Sequence, residues 1–146
     1  MSFTEHFVMA ENLACPLDGL ALVYSAPERQ LRCASGHCFD IARHGYVNLL
    51  GVQDKRSKDP GDSKLMIAAR RRILESGLYD AIAAMLVQVV DEGLHRHGGC
   101  NAQASEGRSR LAILDAGCGE GYYLEYCIKA LANAYAVQGI GLDISK

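Results

Sequence analysis

The sequence lacks any run of about 18 or more uncharged apolar residues, which excludes a membrane-spanning helix of ordinary length and with it a membrane partner. The opening Met1-Ser2-Phe3-Thr4-Glu5-His6 has neither the basic start nor the apolar stretch of a secretory leader, so a cytoplasmic protein is expected. With nothing pointing to secretion, the six cysteines read as thiols or metal ligands and not as a disulfide framework. No internal repeat is evident, and 146 residues suit one ordinary domain or two small ones. An excess of positive charge is also missing. The formal net charge is −2, which taken alone argues against a nucleic-acid partner.

What is present changes that view. Apolar residues make up 49 % and charged residues 22 %, enough to bury a core and too apolar for a disordered chain. The charge is unevenly spread: Glu28 to Arg72 carries ten Lys/Arg against five Asp/Glu, a net of +5, and the remainder carries −7. A polyanion can therefore approach the middle of the chain even though the whole molecule does not attract it, although on charge alone a solvated, salt-bridged surface is the plainer reading.

Three segments follow one another. Leu20 to Tyr24 reads as a strand and Gln30 to Cys33 as its partner, with Ser25 to Arg29 as the turn. A segment this small has little core of its own, so a metal or a neighbouring domain would help it fold. Residues 51–62 form a polar connector ending in a turn at Asp59-Pro60-Gly61-Asp62, after which Asp62 or Ser63 can cap a helix. That helix is expected over Lys64 to Glu75, with Gly77 as its stop. A second is expected over Tyr79 to His95, with Ile82, Met85, Leu86, Val89 and Val90 as a plain core stripe. Residues 98–110 read as a loop. Leu111 to Asp115 then suits a buried parallel strand, Tyr122 to Asn133 a helix, and Ala136 to Asp143 a second strand. The fold class is α/β: a small head followed by one β-α-β unit, the opening of a doubly wound sheet.

The most informative stretch is Leu114-Asp115-Ala116-Gly117-Cys118-Gly119-Glu120-Gly121. Glycines there let backbone approach a ligand at the C-terminal end of the first strand. Asp143 ends the second strand, where an acid can accept both hydroxyls of a ribose. Asp115 can order the turn or reach the ligand's amino group. Dinucleotide sites favour G-x-G-x-x-G, with a pyrophosphate at the helix N-terminus. Here the spacing is G-x-G-x-G, with Asp115 ahead and Tyr122-Tyr123 behind, which resembles motif I of class I methyltransferases. The cofactor that this resemblance implies is S-adenosylmethionine, held by Asp115, Gly117, Gly119, Gly121, Tyr122 and Asp143.

Upstream, Cys15-x2-Asp18 and Cys33-x3-His37 bracket the expected hairpin, in the way that small zinc modules hold two loops together. A carboxylate is unusual in a structural zinc site, and Cys38 beside His37 is an alternative donor. A zinc-free knuckle held by packing is the plainer reading, with Cys33 and Cys38 as small buried thiols.

Cys15-Pro16-Leu17, then Cys33-x3-His37-x-Phe39-Asp40-x-Ala42-x2-Gly45-Tyr46-Val47-Asn48-Leu49-Leu50, resembles the zinc-binding head of the bacterial 23S rRNA guanine-N1 methyltransferases. The resemblance continues through Lys55 to Ser63, Ala69-Arg70-Arg71, Asp115 to Tyr123 and Gly141 to Lys146. It implies zinc on Cys15, position 18, Cys33 and His37, where Asp18 stands in place of the family's cysteine. It implies a zinc-ribbon-like head over 1–50, a linker over 51–62, and the start of a Rossmann-like methyltransferase domain over 63–146. It also implies methyl transfer to N1 of a guanine in 23S rRNA. Members of that family continue well past this point, so an N-terminal portion, inactive alone, is expected, with the catalytic base beyond Lys146.

Arg29, Arg32, Arg43, Lys55, Arg56, Lys58, Arg70, Arg71 and Arg72 are the candidates for phosphate contact. Tyr24, Phe39 and Tyr46 can stack on bases or pack in the core. His37 and His44 belong to the head. A non-catalytic RNA-binding remnant, a relative acting on another substrate, and a homodimer all stay open at this point.

Overall fold

The computed structural model describes residues 10–43, 45–51, 61–97 and 109–144. The chain divides into two compact units, 1–58 and 59–146.

In the first unit a 3-10 turn over Ala10–Asn12 precedes three short antiparallel strands: β1 (Val23–Ser25), β2 (Gln30–Arg32) and β3 (Cys38–Asp40). The hairpin anticipated from sequence is therefore present, and a third strand joins it. Three residues show too little alternation to be recognised alone. β3 is fixed by its register on β2, where Leu31 faces Phe39. The first strand also starts later than expected. Leu20 to Leu22 run beside the first loop instead, with an isolated bridge between Ala14 and Ala21 and a hydrogen bond from Leu22 N–H to Leu13 O. The core of this unit is small: Ala10, Cys15, Leu22, Leu31, Cys33 and Ile41, with Tyr24, Phe39, Val47 and Leu49 packed against it. Tyr24 and Phe39 are thus packing residues, while Tyr46 is 47 % exposed.

The second unit runs α1 (Lys64–Glu75), α2 (Asp80–His97), β4 (Ser109–Ala116), α3 (Tyr122–Leu131) and β5 (Tyr135–Leu142). Ser63 is the N-cap of α1, its hydroxyl accepting from Met66 N–H at 3.3 Å. Gly77, just past the end of α1, takes a left-handed φ of 79°. α1 and α2 are bent by 77°, and no single described helix is long and apolar enough to cross a membrane. β4 and β5 are parallel over eight residue pairs, from Ser109↔Tyr135 to Ala116↔Leu142, with α3 as the crossover. Strand period places Leu111, Ile113 and Asp115 on the face shared with Val137, Gly139 and Gly141. α3 lies on that face, since Leu124 and Ile128 meet Gly139. Leu114 and Leu142, on the other face, are 61 % and 45 % exposed.

Of the apolar stripe expected in α2, only Val90 lies on the side that packs. Ile82, Met85, Leu86 and Val89 are 48 %, 58 %, 38 % and 61 % exposed. α2 is apolar on more than one side. Ala83, fully buried, marks the side that packs, with Val87, Val90 and Leu94 half-buried at helical spacing from it. Periodicity alone could not choose between these two stripes.

Candidate metal centre and glycine loop

Two loops of the first unit have the same design. In one, Gly19 N–H bonds Cys15 O at 2.8 Å, and Cys15 N–H bonds Leu20 O at 2.8 Å. In the other, Gly36 N–H bonds Cys33 O at 3.0 Å, and Cys33 N–H bonds His37 O at 3.1 Å. Each loop closes through a glycine with a left-handed φ, 75° at Gly19 and 88° at Gly36. Each presents a cysteine at its start and a second donor near its end.

The four side chains converge. Cys15 Sγ lies 3.5 Å from His37 Nδ1, Cys33 Sγ 3.3 Å from the same nitrogen and 3.4 Å from Asp18 Oδ2, and Asp18 Oδ2 3.1 Å from His37 Nδ1. All four donor atoms lie within 4.8 Å of one another. Ligands about 2.0–2.3 Å from a tetrahedral zinc have unlike-atom edges of about 3.4–3.6 Å, so the cluster has the dimensions of such a shell. The cysteines are buried, and Asp18 and His37 close the more exposed side. Cys38 is not part of it: its thiol is exposed and donates to Gly36 O at 3.2 Å.

Asp18 is well prepared for the position. Its Oδ1 accepts Leu20 N–H at 3.0 Å, which leaves Oδ2 to face the cluster. That backbone bond chiefly holds its carboxyl well below the usual range, against partial burial, with help from the two thiols. Burial pushes the Cys15 thiol up. A divalent cation stabilises both thiolates and the carboxylate together, so the donor set fits a metal.

The second unit builds a different site. At the end of β4 the chain turns through Gly117, Gly119 and Gly121, with φ of 87°, 55° and 78°. These are left-handed conformations that a side chain resists. The turn is pinned to the end of β5: Gly117 and Cys118 N–H both bond Leu142 O, at 2.7 and 3.0 Å, and Gly119 N–H bonds Asp143 Oδ2 at 2.7 Å. A Cβ on Gly117 or Gly121 would meet nothing within 4 Å, so open space borders the loop. Gly141 and Gly139 let the loop and α3 sit close to the sheet, because a Cβ there would lie 2.7 Å from Cys118 Sγ or 2.5 Å from Ile128 Cδ1. Cys118 is raised in pKa, chiefly by burial and then by the charges of Asp115 and Asp143.

The six residues singled out around this loop do not all behave alike. Asp115, the three glycines and Asp143 gather at the C-terminal ends of β4 and β5. Tyr122 turns toward α2, and its hydroxyl donates to Asp80 Oδ1 at 2.7 Å. The carboxylate bond, helped by burial, pushes its pKa up to about 12.

Two of the three exposed arginines of α1 have acidic partners within the second unit. Arg70 pairs with Asp62, and Arg71 Nε bonds Glu120 Oε1 of the glycine turn at 2.6 Å. Arg72 shares an open groove with Lys64, Ile67, Ala68, Arg71 and Glu75. Sequence reasoning missed Asp62, Asp80 and Glu120 as partners, because no local spacing links them to residues 8, 42 or 49 positions away. Lys55, Arg56, Lys58 and His44 lie outside the described residues, as do residues 98–108 of the loop.

The stretch that carries the paired loops and the three-stranded sheet is similar to a known family. Residues 13–58 match the zinc-ribbon family described as RlmA, N-terminal. That stretch of the first unit is therefore similar to a zinc-ribbon domain. The ribbon's similarity extends through the second unit. A Micromonospora griseorubida protein whose name gives a 23S rRNA guanine-N1 methyltransferase is 36 % identical over 97 % of this chain. The 23S rRNA (guanine(748)-N(1))-methyltransferase of Streptomyces fradiae is 34 % identical over 92 % of it. A Bacillus subtilis protein, also named for guanine-N1 methylation of 23S rRNA, is 30 % identical over 90 %. The chain is homologous to these proteins and spans 47 %, 41 % and 42 % of their respective lengths.

Proposed function

We propose that this chain is the zinc-ribbon head and S-adenosylmethionine-binding opening of a 23S rRNA guanine-N1 methyltransferase. The observation that carries the reading is the joint at the ends of β4 and β5, where three left-handed glycines border open space and Asp143 meets a loop amide. Homology to enzymes named for this reaction, over at least 90 % of the chain, supports it. In this reading β4, α3 and β5 open a Rossmann-like class I methyltransferase domain running from residue 63. Residues 1–50 are the head and 51–62 the linker.

Bound there, S-adenosylmethionine supplies an electrophilic methyl group on a sulfonium, so the protein's task is to position two reactants in line. The glycine backbone would admit the cofactor close to the strand ends, and Asp143 would accept the ribose hydroxyls. Asp115 would order the turn from below. Guanine N1 carries a proton and lies on the Watson–Crick edge, so the reaction needs a base and an unpaired nucleotide. The ribbon would supply rRNA contact. Arg29, Arg32 and Arg43 are exposed there, and Tyr46 offers an exposed ring for stacking. Zinc on Cys15, Asp18, Cys33 and His37 would tie its two loops together.

The test is a calorimetric titration of the whole chain with S-adenosylmethionine, beside Asp143→Ala. Binding that the substitution weakens is expected. A folded chain that takes up no cofactor would overturn the assignment and leave the ribbon as an RNA-binding module. Cobalt(II) substitution tests the metal. Thiolate-to-cobalt absorption for two cysteines is expected, rising to three in Asp18→Cys. A spectrum that Asp18→Ala leaves unchanged would remove Asp18 from the shell.

A further inference from the structure

The glycine turn has neighbours from α1 that cofactor binding by the turn does not require. Arg71 reaches across to Glu120, which lies within the turn, and so straps α1 to it. One residue earlier, Arg70 extends its guanidinium over the same turn. Its Nη1 lies 3.6 Å from where a Cβ on Gly119 would stand, and its Nη2 is held by Asp62 at the foot of α1. The Arg70 side chain is 48 % exposed, so it faces solvent at the mouth of the turn and is not locked in a core.

The charges around the turn are otherwise acidic, with Asp115 and Asp143 at the strand ends and Glu120 in the turn itself. Such a field suits a cofactor whose sulfonium and ammonium are positive. It is hostile to that cofactor's carboxylate, which needs a cation of its own. Arg71 turns both Nε and Nη2 to Glu120, whereas Arg70, paired with Asp62 through Nη2, keeps Nη1 beside the turn. Arg70 is the guanidinium poised beside Gly119, and a planar fork with spare N–H groups suits a carboxylate.

We infer that Arg70 binds the carboxylate of the cofactor's aminoacyl end, with the Arg71–Glu120 pair as the strap that holds it over the turn. Asp62 keeps the guanidinium aimed at the turn before the cofactor arrives. The inference rests on the cofactor reading above and adds a determinant of which sulfonium compounds the site accepts. Arg70 discriminates between S-adenosylmethionine and its decarboxylated form, which keeps adenosine, sulfonium and amine.

Calorimetry of the whole chain with both compounds tests this. The wild-type chain is expected to bind S-adenosylmethionine about 10- to 100-fold tighter than the decarboxylated compound, the range for a charge-assisted hydrogen bond. Arg70→Ala should erase that ratio by weakening S-adenosylmethionine without weakening the decarboxylated compound, and Arg70→Lys should restore part of it. Arg71→Ala should shrink the ratio by loosening the strap. Equal affinity of the wild-type chain for the two compounds overturns the inference, as does an Arg70→Ala chain that weakens both alike. Failure of a folded wild-type chain to bind either compound overturns the cofactor reading itself, which separates the two failures.

Discussion

Gly139 lies mid-strand in β5, on the face that α3 covers. A Cβ there would sit 2.5 Å from Ile128 Cδ1, 3.0 Å from Leu124 Cδ1 and 3.1 Å from Leu124 Cγ. Comfortable carbon contacts are about 3.5–4.0 Å, so Gly139→Ala overlaps its neighbours by up to about 1 Å. Ile128 Cδ1 is the tip of a side chain and can swing aside. Leu124 Cγ is one bond from its Cβ and moves only if its χ1 rotamer changes or α3 shifts. Overpacking of this kind costs about 1–3 kcal/mol, while removing a glycine returns about 0.4–1 kcal/mol through the unfolded chain. The net expectation is a loss of about 1–2 kcal/mol, or a fall of about 5–15 °C in midpoint for a unit of this size. All described α-helices lie in the 59–146 unit, so a melt followed by α-helical circular dichroism reports on that unit. Gly93→Ala in α2 is the control. Nothing lies within 4 Å of its Cβ position, and a helix interior gains about 0.5–1 kcal/mol from the exchange. The same substitution should therefore shift the melt in opposite directions at the two sites. A Gly139→Ala chain that melts at or above the wild-type temperature, with Gly93→Ala behaving as expected, would refute the packing of α3 on β5.

Gly141→Ala should push Cys118 and the glycine turn away from the sheet, because its Cβ would lie 2.7 Å from Cys118 Sγ. Adding Cys118→Ala should recover about 0.5–3 kcal/mol, and simple additivity of the two changes in a urea melt would rule out the contact. Ser63→Ala removes the N-cap bond to Met66 N–H and should cost about 0.5–2 kcal/mol, with Ser63→Asp close to wild type; equal melts for all three would remove the cap. Tyr122 should titrate near 12 in an alkaline absorbance titration, and Asp80→Asn should bring it down toward about 10. Because the folded value is raised, the stability that Tyr122 contributes is complete below about pH 10 and is lost as pH rises through about 12. The difference between wild type and Tyr122→Phe should therefore hold steady up to about pH 10 and then shrink, and a difference that grows with alkalinity would contradict the Asp80 bond.

Local signals were read well where one residue's conformation settles the matter. Ser63 before a periodic run and Gly77 after it bounded α1, since a cap and a left-handed stop act within a few residues. The glycine turn and its acid could be placed because strand, turn and strand follow each other directly in sequence. The four donors of the ribbon were also legible, as two short loops each carry a pair. The stripe of α2 was misread because hydrophobic spacing gives a face but not its neighbour. Ala83, too small to stand out in the pattern, marks the side that packs. β3 went unseen because three residues gain strand character only from the partner beside them.

Sequence alone thus determined most of the elements and which chemistry they carry: thiols, an imidazole and a carboxylate in one unit, a glycine turn with its acids in the other. Tertiary structure decided who meets whom. Asp18 turns one oxygen to Leu20 N–H and the other to the cluster, Tyr122 spends its hydroxyl on Asp80, and Arg70 and Arg71 lean on the glycine turn. Those pairings are separated by as many as 49 residues. They are set by packing and electrostatics acting through space, which local spacing does not encode.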